Sequence, residues 1–459
     1  MRYLSTRGGS PPAGFATALL GGLAPDGGLY VPEEWPEIDV HPSVERYQDV
    51  AVEVIAPYVA DDIARDELSS LVEDAYARFD DPAVVPVRAL SDGLHVAELF
   101  RGPTLAFKDI ALQLVGRLID RELTRRDETA TVLVATSGDT GSAAIEACRG
   151  RDRVSIVVLH PRGRVSEIQR RQMTTVVEPN VHNVAIDGNF DDCQDLVKAA
   201  FADTDLRREL GLIAMNSINW ARVMAQVVYY VTSAAAVAPD GGPVSFSVPT
   251  GNFGNVLAGW VAARGGVDVE RFVVGSNRND ILTRWIDSGV MEARGVEPTL
   301  SPSMDIQISS NVERYLWEIG GRRGSVVAEQ MADLRARGSF RMPPEQHEQV
   351  RAIFAGACVD DEQTLAEIAR VHAESGMLID PHTAVAVAAA RRIERGEGPR
   401  VVLATAHPAK FPDAVEQATG VRPELPAHLA DLLDRPEAST PLASDPDVLA
   451  DFLRTTVGR

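Results

Sequence analysis

From about residue 130 the chain repeats one pattern: a run of β-branched and apolar residues, a turn of Gly, Ser or Asn, then an alanine-rich stretch with helical spacing. TVLVAT (131–136) passes through SGDTG (137–141) into SAAIEA, and VSFSVPT (244–250) passes through GNFGN (251–255) into VLAGWVAA. RVVLATA (400–406) runs into a proline-containing loop, and short apolar runs at 154–159 and 272–274 read as further buried strands. Strands alternating with helices predict an α/β fold with parallel sheets. Ligands of such sheets gather at the carboxyl ends of the strands, which is where SGDTG and GNFGN fall.

The flanks read differently. Pro- and Gly-rich text opens the chain, followed by acidic helical text over 44–79, and DPAVVPV (81–87) reads as a connector. The expected division is an N-terminal domain over 1–88, a catalytic domain over 89–430 with two lobes, the smaller at about 112–215, and an acidic, Pro-rich tail over 431–459. The apolar patch at 15–24, preceded by Arg2 and Arg7, imitates a signal peptide but is broken by Gly14, Gly21 and Gly22, so it reads as folded chain. No uninterrupted apolar run approaches the ~20 residues that span a bilayer.

Composition narrows the partners. A net charge of −21 over 459 residues argues against nucleic acid or an anionic membrane. It leaves room for a small anion held by local donors. Cys148, Cys193 and Cys358 are widely spaced, without a CxxC pair, and none of the nine histidines belongs to an HExxH. No metal is expected, the expected compartment is a reducing cytoplasm, and His160, His182, His372 and His382 read as structural or solvent-facing. Monomer and homodimer are both open.

The basic residues are the unusual part. Only three of 45 are lysine, namely Lys108, Lys198 and Lys410. Arginine carries charge equally well but does not lose its proton near neutral pH, so a lysine kept in GPTLAFKDIALQ (102–113) is a candidate amine nucleophile, the alternative being a surviving surface lysine. Lys198 reads as solvated, and Lys410 either orders the site or pairs with a carboxylate.

GNFGN places glycines between a strand and a helix, where successive backbone N–H groups can converge on a phosphate. Alone it is as readily a tight turn. In Ser137, Gly138, Asp139 and Thr140 the second loop offers hydroxyls, N–H donors and one carboxylate, although Asp139 or Thr140 could simply cap a helix. NSINWAR (216–222) adds amides, a hydroxyl and the Arg222 guanidinium. If helical, Arg222 could be an ordinary surface charge; a forked guanidinium beside Asn and Ser donors is also how a second phosphate is held. Two anion-binding loops and a reactive lysine fit pyridoxal phosphate with an amino-acid substrate.

These motifs, with YLSTRG (3–8), GLAPDGGLYVP (22–32), ELFRGPTLAFKD (98–109), ATSGDTGSAA (135–144), DGNFDDCQ (187–194), PTGNFGN (249–255) and ATAHPAKF (404–411), resemble the threonine synthase family in its longer bacterial and fungal branch. The resemblance spans most of the chain. It implies the type II pyridoxal-phosphate fold shared with tryptophan synthase β, and a lyase of threonine biosynthesis that converts O-phospho-L-homoserine and water to L-threonine and phosphate. It further implies that Lys108 bonds to the cofactor aldehyde, that Gly251, Asn252, Phe253, Gly254 and Asn255 hold the cofactor phosphate, and that Thr405 faces the pyridine nitrogen. Ser137, Gly138, Asp139 and Thr140 would take the substrate carboxylate, with Asp139 near the cofactor 3-hydroxyl, and Asn216, Ser217 and Arg222 the substrate phosphate. Two positions depart from relatives: Asp139 replaces an Asn of the short branch, and Arg101 stands where many close relatives have His. The rivals are a serine or threonine dehydratase of the same fold, which needs no second phosphate site, and a catalytically silent phosphate-ligand binder.

Overall fold

Val244–Pro249, buried along its whole length, lies inside a six-stranded sheet. The strand order is Phe354–Cys358, Val269–Ser276, Val244–Pro249, Arg400–Ala404, Leu94–Glu98, Val87–Ala89. All neighbours are parallel except the last pair. A second sheet of five parallel strands runs Thr440–Ala443, Val181–Asp187, Val154–Pro161, Ala130–Ala135, Leu212–Ile213. This computed structural model describes residues 1–39, 46–90 and 93–457. The fold is the expected α/β type with two parallel-sheet lobes, its inner strands almost wholly buried because helices cover both faces.

Helices Lys108–Arg126 and Trp220–Val237 pack together at the centre. Every residue of Lys108–Ile119 is buried, so this stretch of the helix has no solvent-facing side and is an interior element. The acidic text expected to be helical over 44–79 forms Tyr47–Val59 and Arg65–Tyr76, while residues 44 and 45 lie outside the described residues. The N-terminal elements have no core of their own. Tyr58 packs on Trp220 at 5.8 Å between ring centroids, Tyr3 Oη donates to Tyr58 O at 2.8 Å, and Thr6 donates to Glu313 at 2.6 Å. Most buried apolar residues of 3–85 therefore belong to the main hydrophobic cluster.

The end of the chain corrects the expectation of a tail. Thr440–Ala443 adds an edge strand beside Val181–Asp187, and helix Pro446–Thr456 buries Leu449 and Leu453 in the apolar cluster of the smaller lobe. Asp445 caps that helix by accepting from Asp447 N at 2.8 Å, with Pro446 at its first position. Among the described residues no helix is long and apolar enough to cross a membrane.

Candidate active site

Lys108 opens its helix at the end of a tightly coiled turn. Leu105 takes a left-handed φ of 62°, and a Cβ on Gly102 would come within 2.5 Å of Asp109 Cβ. Asp109 closes the turn by accepting from Thr104 N at 2.7 Å and Thr104 Oγ1 at 2.8 Å. The turn is tied to the 404–411 segment as well: Phe107 N donates to Thr405 O at 2.9 Å and His407 N to Leu105 O at 3.0 Å. Lys108 and Thr405 are thereby held side by side on the wall of one cavity of about 1110 Å³.

The Lys108 ammonium is buried, with Asp139 Oδ2 at 3.3 Å and Ser303 Oγ at 3.4 Å. Burial lowers its pKa, which Asp139 opposes and Lys410 and Arg222 assist. Asp139, at the first position of helix Asp139–Cys148, receives Lys410 Nζ on Oδ1 at 2.8 Å, Gln169 Nε2 on Oδ1 at 2.8 Å and Ser303 Oγ on Oδ2 at 3.1 Å. Burial works against its ionisation, but Lys108 and Lys410, with the hydrogen bonds from Lys410 and Gln169, outweigh it and hold the carboxyl well below the usual range. Two lysines thus share one carboxylate. Lys410 also donates to Thr104 O at 2.8 Å, so it both orders the turn and pairs with Asp139. Lys198 is exposed and paired with Asp195.

The GNFGN loop leaves the carboxyl end of its strand and enters helix Gly254–Arg264. Phe253 sits at the N-cap with φ 60°, a strained conformation for a non-glycine residue. Its fully buried ring points away from the cavity, among Trp285, Tyr315 and Phe354. Gly251, Asn252, Gly254 and Asn255 line the cavity. Asn255 Oδ1 accepts from Tyr229 and Tyr230 hydroxyls at 2.6 and 2.9 Å, which leaves its buried Nδ2 without a partner in the protein.

The helix begins at Trp220, with Asn219 as its cap accepting from Ala221 N at 3.0 Å, so Ile218 precedes it and Arg222 lies in its first turn. Arg222 is no surface charge. It is buried, its Nη1 donates to Met215 O at 3.4 Å, its Nε has no partner among the described residues, and burial pushes its pKa down to about 10. Asn216, Ser217 and Arg222 all line the cavity. Thr140 does too, whereas Ser137 is exposed outside the lining, and Gly138, with φ 144°, is buried against Gln169. Asp139 reaches the site through its contact with Lys108.

Sequence reasoning missed several participants. Ser303 and His382, the latter expected to be structural or solvent-facing, line the cavity. Asn311 Nδ2 bridges the two phosphate-loop candidates, donating to Ser217 O at 3.0 Å and Asn252 O at 3.2 Å. None of these carries a motif, and only three-dimensional proximity reveals them. Arg101, whose role was open, is held by Glu98 and Asp80 outside the cavity lining.

Buried, unpartnered donors on Asn255 and Arg222 share one cavity with a lysine of lowered pKa, a donor set of the kind that suits anions. Sequence models fit the same reading: the threonine synthase N terminus matches residues 2–76, the pyridoxal-phosphate-dependent enzyme model 83–337, and the threonine synthase C-terminal model 383–453. A threonine synthase of Pseudomonas aeruginosa is 49% identical over 451 residues, covering 97% of this chain and 96% of the relative. The chain belongs to the threonine synthase family. The crystal structure of a threonine synthase from Brucella melitensis with pyridoxal phosphate bound superposes with a TM-score of 0.96 at 48% identity, covering 100% of this chain and 99% of that one. The yeast threonine synthase gives 0.94 at 37% identity, covering 99% and 98%. This family is pyridoxal-phosphate dependent, and the donors described above fit that cofactor.

Proposed function

We propose that this chain is a pyridoxal-phosphate-dependent threonine synthase acting on O-phospho-L-homoserine and water to give L-threonine and phosphate, in a reducing cytoplasm. The observation that carries the reading is Arg222, a buried guanidinium with an unpartnered Nε in the same cavity as Lys108 and the GNFGN loop. One anion at that loop leaves Arg222 unmatched; a substrate that brings its own phosphate matches it.

In this reading Lys108 holds the cofactor aldehyde, the backbone of Gly251 to Asn255 with the Asn255 amide holds its phosphate, Thr405 faces its ring nitrogen and Asp139 its 3-hydroxyl. When bound, the cofactor supplies an electron sink that acidifies the substrate carbons next to the amine. Lys108, released as a neutral amine, moves protons at Cα and Cβ, a role its lowered pKa suits. Ser137, Gly138 and Thr140 bind the substrate carboxylate. Arg222, with Asn216 and Ser217, holds the phosphate as the Cγ–O bond breaks and its charge grows. Residues 1–88 serve as a docked N-terminal unit and 89–430 as the catalytic body, with 431–459 completing the smaller lobe.

The test is incubation with phosphohomoserine while threonine and inorganic phosphate are followed together. They should appear in equal amounts, and Arg222→Ala should reduce kcat/KM for phosphohomoserine by about 100-fold, as loss of a buried charged hydrogen-bonding partner of the substrate implies. Unchanged kcat/KM in that variant would favour a dehydratase.

A further inference from the structure

Lys108 Nζ has two acceptors within reach, Asp139 Oδ2 and Ser303 Oγ. A neutral amine carries two N–H bonds and one lone pair, so these acceptors take both hydrogens and leave the lone pair for the cavity that Lys108 lines. Ser303 can play this part only if its hydroxyl hydrogen is engaged elsewhere. It is, since Ser303 Oγ donates to Asp139 Oδ2 at 3.1 Å, turning the oxygen lone pairs toward the lysine.

Ser303 lies on a single helical turn, Pro302–Met304, that does not belong to either sheet. Its backbone N–H donates to His382 Nε2 at 3.2 Å. A backbone amide only donates, so Nε2 is the unprotonated nitrogen and Nδ1 bears the hydrogen, given to Asp380 Oδ2 at 2.7 Å. Asp380 is itself fixed as the cap of helix Pro381–Arg392, accepting from His382 N at 2.9 Å and Thr383 N at 3.0 Å. Asp380 and His382 are buried, and Phe411 packs on the imidazole with ring centroids 5.0 Å apart. A rigid helix start thus fixes one imidazole tautomer, which fixes the serine turn, which faces the lysine.

We propose that Ser303 is a catalytic residue that aims the lone pair of Lys108, and that His382, locked by Asp380, is the positioning residue that holds Ser303 in place. The inference rests on Lys108 being the amine that bears the cofactor. Ser303 moves no proton of its own in this scheme; its hydroxyl stays bonded to Asp139 while Lys108 attacks or abstracts.

The experiment has two readouts. In cofactor-free protein, covalent capture of added pyridoxal phosphate is followed by absorbance and mapped by borohydride reduction and peptide mass spectrometry; in the reconstituted enzyme, kcat and KM are measured separately. Ser303→Ala should slow capture and lower kcat by about 10-fold to 100-fold, the scale of a misdirected reacting group, with KM for phosphohomoserine changed less than about twofold. His382→Leu should behave like Ser303→Ala, whereas His382→Gln, whose Oε1 can accept from Ser303 N, should stay within about threefold of the wild type. Should His382→Leu not fold, Ser303→Ala decides the matter. Capture at Lys108 at the wild-type rate in Ser303→Ala, or equal loss in the Leu and Gln variants, overturns this inference alone. Cofactor attached elsewhere in the wild-type protein overturns both it and the reading of Lys108.

Discussion

Asp109 follows the candidate lysine and has no exposed surface, and burial pushes its carboxyl up to about 7 despite the hydrogen bonds from Thr104. The folded state therefore keeps a proton that the unfolded chain releases near the ordinary carboxyl value. Between about pH 4 and 7 this group makes stability fall as pH rises, by roughly 1 kcal/mol per pH unit at most, and the loss is complete above 7. His407, pushed down to about 4 by burial first and by Arg101 second, has the opposite slope between its ordinary value and 4. Comparison with Asp109→Asn isolates the carboxyl, because an amide of nearly the same shape has no titrating proton and its oxygen can still accept from Thr104 N. Thermal melting at pH 5.0, 6.0 and 7.5 should show the variant gaining on the wild type as pH rises; a gap independent of pH would contradict the assignment. At this scale Lys108 was legible as one of three lysines, and Asp139 and Lys410 as candidates near it, but Ser303 beside Lys108 and Gln169 on Asp139 were not. They come from distant parts of the chain, and pairing of single polar residues across such separations leaves no periodic signal.

Local grammar served the elements better. Strand, glycine turn and helix follow one another within about twenty residues, so both anion-loop candidates could be placed at strand ends from sequence alone. NSINWAR left open where its helix starts, which Asn219 settles as the cap, and the 302–304 turn was missed because three residues carry no periodicity. Phe253 shows what such a loop needs beyond glycine. Its φ of 60° costs about 1 kcal/mol or more, offset by a ring buried among Trp285, Tyr315 and Phe354. Phe253→Ala should cost about 3–5 kcal/mol in denaturant unfolding and also weaken pyridoxal phosphate binding, since the ring anchors the backbone that faces the cavity. Full stability loss with unchanged cofactor affinity in equilibrium dialysis would mean that the loop is fixed by other contacts.

For the whole molecule, residues 440–457 return to the smaller lobe. Averaged composition hid this, because DRPEASTPLASDP reads as solvated text, yet Leu449 and Leu453 at i, i+4 supply an apolar stripe behind an Asp-Pro helix start. Thr440–Ala443 covers the edge of Val181–Asp187, and Glu437 fastens the preceding segment to Arg170 and Thr174. Deleting 440–459 removes two buried leucines, worth roughly 1.5–3 kcal/mol each, and bares a strand edge beside Cys193 and Leu196. The smaller lobe should then open independently of the larger one, because the two sheets have separate strand sets. Hydrogen exchange followed by mass spectrometry should show faster exchange at 181–187 and unchanged protection at 244–249. Equal acceleration in both strands would mean that the lobes unfold as one unit, and unchanged exchange at 181–187 would mean that the returning segment adds nothing to the lobe it covers.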